Sequence, residues 1–142
     1  QEFNEEIDHQ LAPYVWYPQR TGRVDLLIEN AKTLQKMQKS EEAGAFLRKV
    51  LSLNPGNSAA HYYLGESLMK KNDLKGAEKH FNKAVATGGA DFPVAYRHLG
   101  YIYRDQKLMP IACNNFKKFV RFAPETNYER EEIARLVEKI CK

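Results

Sequence analysis

Four histidines (His9, His61, His80, His98) and two cysteines (Cys113, Cys141) are the side chains of this 142-residue chain best suited to hold a metal or to act as nucleophile and base. Their spacing supports neither role. No two histidines stand in an HExxH or comparable ligand pair, and no CxxC occurs, so zinc and dithiol redox chemistry have no basis in the sequence. No G-x-S-x-G, P-loop or G-x-G-x-x-G turn is present. The acid cluster Glu129/Glu131/Glu132 falls on a helix whose polar face keeps it in water. No nucleophile stands beside a base and no cofactor box is found. The chain is therefore expected to be no enzyme, with no cofactor and no metal, and binding becomes the chemistry to explain.

Composition sets the class: 43% hydrophobic and 28% charged residues suit one helical domain with a sizeable core. No apolar run approaches the roughly 18 residues of a membrane span. The first ten residues are mostly polar and acidic, unlike a signal peptide, and the compartment stays open between cytoplasm and bacterial envelope. The net charge of +4 is uneven, because residues 1–20 carry four acids against one base and leave +7 on the rest. In that basic body lysines and arginines alternate with acids at helical spacing, the pattern of a solvated face, so nucleic acid is not the expected partner.

The elements that position these side chains are helices. Apolar residues recur with helical period from residue 24 onward, and seven helices are expected near 24–37, 41–53, 58–71, 74–87, 93–106, 109–122 and 127–141. Pro55-Gly56-Asn57 separates the second from the third, with Ser58 as the expected N-cap, and Asp73 caps the fourth. Pro110 falls in the first turn of the sixth, where its missing N–H costs nothing. Cys113 lies early in the sixth helix and Cys141 late in the seventh. If those helices run antiparallel, the two sulfurs form a disulfide closing a loop of about 28 residues, worth roughly 3 kcal/mol. The alternative is a pair of buried or partly buried free thiols.

Two stretches repeat. Leu64-Gly65 is followed by Ala77, Phe81 and Ala84; Leu99-Gly100 is followed at the same offsets by Ala112, Phe116 and Phe119. A weaker copy runs through Ala31, Ala43, Leu47 and Val50. The glycines and alanines are small where paired helices cross, so backbones approach to roughly 8–10 Å. Each hairpin keeps a second apolar face that only a neighbouring hairpin can cover. Ile133, Leu136, Val137 and Ile140 give the last helix one apolar stripe, enough to close the end of a stack.

This pattern resembles the tetratricopeptide repeat family over residues 24–126, with 127–142 similar to its capping helix. The resemblance implies an all-α, right-handed superhelix of helix-turn-helix repeats at 24–57, 58–92 and 93–126. It also implies that the first helix of each hairpin lines a concave groove. Carried onto these positions, the expected partner-binding residues are Lys32, Tyr62, Glu66, Met69, Arg97, Tyr101 and Arg104. Ile28, Gln35, Lys36, Lys70 and Asp105 lie beside them, and Tyr128, Glu131 and Arg135 continue the surface. One subfamily grips the carboxylate tail of chaperones with lysines and asparagines. The matching positions here are Ile28, Lys32, Tyr63, Val94 and His98, which do not reproduce that clamp.

Residues 1–23 belong to no repeat. They are acidic from Glu2 to Asp8, then rich in proline and aromatics through Leu11-Ala12-Pro13-Tyr14-Val15-Trp16-Tyr17-Pro18. The prolines bar a regular helix there. This arm is expected to act as a cap on the first helix, as a ligand for its own or a neighbour's groove, or as a linker. The function expected of the whole is a protein-interaction scaffold that holds a partner segment, acidic or aromatic, in the groove. An oligomerisation module with a swapped arm, giving a homodimer, and a secretion-type chaperone for unfolded clients are the alternatives.

Overall fold

The computed structural model describes residues 20–142, with side chains from residue 23 onward; the N-terminal arm to residue 19, with His9 and the acids at its tip, lies outside the described residues. Among the described residues seven α-helices follow one another: α1 (Arg20–Lys36), α2 (Ser40–Leu53), α3 (Ser58–Lys70), α4 (Leu74–Gly88), α5 (Pro93–Asp105), α6 (Met109–Phe122) and α7 (Glu129–Ile140), with a 3₁₀ turn at Gly89–Asp91. No strand occurs among the described residues. The first helix begins at Arg20, earlier than its apolar period suggests.

The helices pair as α1/α2, α3/α4 and α5/α6. Each hairpin turns in the same way. Gln38, Asn72 and Lys107 have φ of 63°, 63° and 62°, the left-handed conformation. In each case the next residue's N–H reaches back five residues: Lys39 to Leu34, Asp73 to Leu68 and Leu108 to Tyr103, at 2.8–3.0 Å. This hydrogen bond and the left-handed residue before it form a Schellman-type stop, which satisfies carbonyls that the helix end leaves open. The following helix starts on its own signals. Asp73 caps α4 by accepting from Gly76 N at 3.0 Å, and Pro110 sits in the first turn of α6. The cap of α3 differs from expectation. Asn57 supplies it, accepting from Ala60 N at 2.9 Å, while the Ser58 hydroxyl pairs with Thr87 of α4.

Three core clusters run along the stack, each shared between neighbouring hairpins. Leu27, Ala31, Ala43, Leu47, Val50 and Leu64 join α1, α2 and α3. Ala77, Phe81, Ala95, Leu99 and Ile102 join α4 to α5. Tyr96, Ala112, Phe116, Phe119 and Ile133 join α5, α6 and α7. Such nearest-neighbour cores make stability local to adjacent units. Helix α7 packs on α6 through Ile133, which is buried, and through Leu136, Val137 and Ile140. It is held further by Arg130 Nε donating to Val120 O at 3.0 Å. A disulfide joins Cys113 to Cys141, with Cα atoms 5.7 Å apart.

Candidate functional site

The inner helices α1, α3 and α5 converge on a cavity of about 380 Å³ lined by Gln35, Glu66, Met69, Lys70 and His98. Repeat spacing explains the lining, since Gln35 and Met69 stand 34 residues apart at the same place in their helices. Gln35 is buried and its carboxamide orientation is fixed. Nε2 donates to Tyr63 O and to Ser67 Oγ, each at 2.7 Å, and a backbone carbonyl only accepts, so nitrogen must face it. That leaves Gln35 Oε1 without a donor among the described residues. Glu66 Oε2 accepts the Tyr62 hydroxyl at 2.9 Å and lies 3.7 Å from His98 Nε2. The His98 ring stacks on Phe81 with centroids 5.0 Å apart, which holds the imidazole in place from behind.

The residues expected to bind a partner fall into different environments. Glu66 and Met69 line the cavity. Lys32 of α1 is not in the cavity lining and lies 3.3 Å from Glu29 Oε1 and over the Tyr63 ring at 5.7 Å. The Glu29 hydrogen bond and the nearby Tyr63 hold its ammonium pKa above the usual lysine value. Arg104 lies over the Tyr101 ring at 5.0 Å, and Tyr101 meets Phe116 edge-on at 5.1 Å.

Tyr62 and Arg97 are likewise engaged by the protein itself. Tyr62 stacks on Phe92 at 5.2 Å and leans on Phe81 at 5.9 Å. Burial, then the Glu66 carboxylate, push its phenol pKa far up. Arg97 Nη1 bonds Glu129 Oε2 of α7 at 3.1 Å, and its Nε is buried with no acceptor among the described residues. Tyr62 is thus held by its own hairpin and Arg97 by the capping helix. Gln35 and His98 are the harder residues to find from sequence. Nothing but the repeat register marks them, and neither belongs to a recognisable motif.

Away from the groove, His61 and His80 meet Nδ1 to Nδ1 at 3.0 Å, and His61 Nε2 lies 2.9 Å from Pro55 O. Among the described residues no three metal-ligating side chains converge, and no helix is long and apolar enough to cross a membrane.

Against known proteins, the tetratricopeptide repeat family model matches residues 23–97. The chain belongs to the tetratricopeptide repeat family. The matched span covers the first two hairpins of this repeat protein and runs into α5. No curated protein matches it in sequence. Among solved structures it is similar to the first tetratricopeptide domain of Spaghetti (RPAP3) bound to the HSP90 peptide SRMEEVD, at 19% identity and a TM-score of 0.70, covering 83% of this chain and 92% of that one. It is also similar to MamA in two structures. One has 21% identity and a TM-score of 0.64, covering 83% of this chain and 76% of that one. The other has 20% identity and a TM-score of 0.65, covering 83% and 69%. At these identities the likeness is one of fold alone, that of a helical repeat.

Proposed function

We propose that this repeat domain holds an extended segment of a partner protein across α1, α3 and α5, without catalysing a reaction. The observation that carries the reading is the cavity where the three inner helices meet, with its fixed acceptor at Gln35, its carboxylate at Glu66 and the apolar Met69. A peptide backbone offers N–H donors to Gln35 Oε1 and Glu66. Its side chains find Met69 for apolar contact and Lys32, Lys70 and Arg104 for carboxylates or carbonyls. Arg97 and Tyr101 support the far end, Arg97 being held by Glu129.

The peptide in the RPAP3 complex is acidic and supports a segment as the class of partner. The carboxylate clamp of the chaperone-tail subfamily is not reproduced in this chain, because Ile28, Tyr63 and Val94 stand where that clamp has lysines and asparagines. We therefore assign the groove to a partner segment recognised along its length rather than by its terminal carboxylate.

The test is selection of peptides from a displayed library on the full chain, followed by titration of the winners into Met69→Glu and Lys70→Glu. Binding weakened at least tenfold in variants that melt like the parent supports the groove. Winners that bind both variants unchanged move the site elsewhere. An oligomerisation module would instead show twice the monomer mass in solution, and a client chaperone would select unfolded chains without sequence preference.

A further inference from the structure

Each inner helix ends in a basic last turn: Lys36 in α1, Lys70 in α3 and Arg104 in α5. They are 34 residues apart, one repeat each. Other cations nearby are neutralised within the fold, Lys32 by Glu29, Lys71 by Glu41 and Arg97 by Glu129. Lys36 and Lys70 are exposed, and no acid among the described residues pairs with them or with Arg104, which rests on Tyr101. A row of three unneutralised positive charges thus runs along one wall of the groove.

The remaining part of the chain has the opposite character. Residues 1–19 contain Glu2, Glu5, Glu6 and Asp8 and neither lysine nor arginine. Glu2, Glu5 and Asp8 stand three residues apart. An extended chain carries these three acids about 10 Å apart in one row, as the three cations stand in one row, one on each inner helix. We propose that residues 1–19 dock in the groove of their own chain, with Asp8, Glu5 and Glu2 pairing with Lys36, Lys70 and Arg104 in that order.

The tether sets the order. Residues 9–19 connect Asp8 to Arg20, where α1 begins, and about twelve steps of chain reach about 40 Å. Helix α1 is about 25 Å long, so Asp8 reaches Lys36 at its far end with slack to spare. Glu5 and Glu2 then step to the next two helices. Asp105 follows Arg104 and opposes the third pairing, so Lys36 and Lys70 are the main anchors. Each exposed ion pair is weak alone, and the tether makes all three pairings intramolecular, so that they act together. The docked arm competes with any outside segment, so the groove is regulated by its own N-terminal chain. This inference rests on the groove reading only in using the same face.

Zero-length carbodiimide cross-linking of the full chain tests it, with an equal mixture of ¹⁵N-labelled and unlabelled protein to separate links within a chain from links between chains. The expected result is amide links from Asp8 or Glu5 to Lys36 or Lys70 within single chains, at least fivefold above links to Lys79 and Lys83 on α4. Backbone amide shifts should also change in the last turns of α1 and α3 on Glu2→Gln/Glu5→Gln/Asp8→Asn. Links spread evenly over surface lysines overturn the proposal, and so do links found only between chains, which make the arm a swapped ligand. Library peptides that bind the groove while the arm never cross-links to it end this proposal and leave the binding function standing.

Discussion

Gly65 faces the Phe81 ring so closely that a Cβ on the glycine would stand 2.8 Å from Phe81 Cε1. Phe81 is fully buried among Ala77, Leu99 and Ile102, so the ring has nowhere to retreat. Gly100 repeats the relationship with Phe116 in the next hairpin. Gly65→Ala adds a helix-favouring methyl worth up to ~1 kcal/mol, against overpacking that costs about 1–3 kcal/mol. The net expectation is a loss of about 1–2 kcal/mol by urea denaturation. Adding Phe81→Leu should recover part of it, and a Gly65→Ala protein as stable as the parent would show that the ring shifts without cost.

The hairpin turns make an ordered prediction. Gln38 and Lys107 adopt left-handed φ without being glycine or asparagine, a conformation costing roughly 1–2 kcal/mol for such residues. Gln38→Gly and Lys107→Gly should each stabilise the domain by about 0.5–1 kcal/mol, after the added freedom of the unfolded chain is deducted. Asn72→Gly should gain less, since asparagine tolerates this conformation. Thermal melts of the three variants check the order, and equal effects at all three sites would contradict it.

The architecture is legible in the sequence because packing imposes residue size at fixed intervals. Gly65 and Gly100 recur with Ala77 and Ala112 because rings and backbones must fit between crossing helices, and that requirement leaves a trace in the sequence. The left-handed turns leave no such trace at Gln38 and Lys107, where the backbone bonds that stop the helix override residue preference. For the groove, helix register identifies Glu66 and Met69, whereas the engagement of Arg97 by Glu129 depends on where α7 sits on α6. The His61–His80 contact joins residues 19 apart on two helices. No local pattern encodes it.

The disulfide should matter most for the cap. Cys113 and Cys141 close a loop with a sequence separation of 28, worth about 3 kcal/mol in the chain-entropy model. Among the described helices α7 packs against α6, so loss of the disulfide should fray α7 before the rest unfolds. Cys113→Ser/Cys141→Ser is expected to raise amide hydrogen exchange across residues 129–140 while α1 to α4 keep their protection. Unchanged exchange in α7 would mean that Ile133 and its neighbours hold the cap alone.

The histidine pair makes stability depend on pH. His61 Nε2 faces the Pro55 carbonyl, which only accepts, so the proton sits on Nε2 and His61 Nδ1 is the acceptor. His80 must then donate from Nδ1. Burial, with His61, Lys83 and Lys79 nearby, lowers the His80 pKa from 6.5 to about 4. A folded-state pKa below the unfolded one means that the unfolded chain binds more protons between these values. Stability is therefore full above about pH 6.5 and falls as pH drops toward about 4. Because His80 is only half-buried, solvent screening reduces the effect to about 1–2 kcal/mol. His80→Gln should cost stability at neutral pH yet flatten the slope between about pH 6.5 and 4.5 in urea titrations. Comparing the two slopes cancels the carboxylates common to both proteins, among them Glu41, whose pKa Lys71 holds down. A variant that loses stability on acidification as steeply as the parent would place the pH response on other groups.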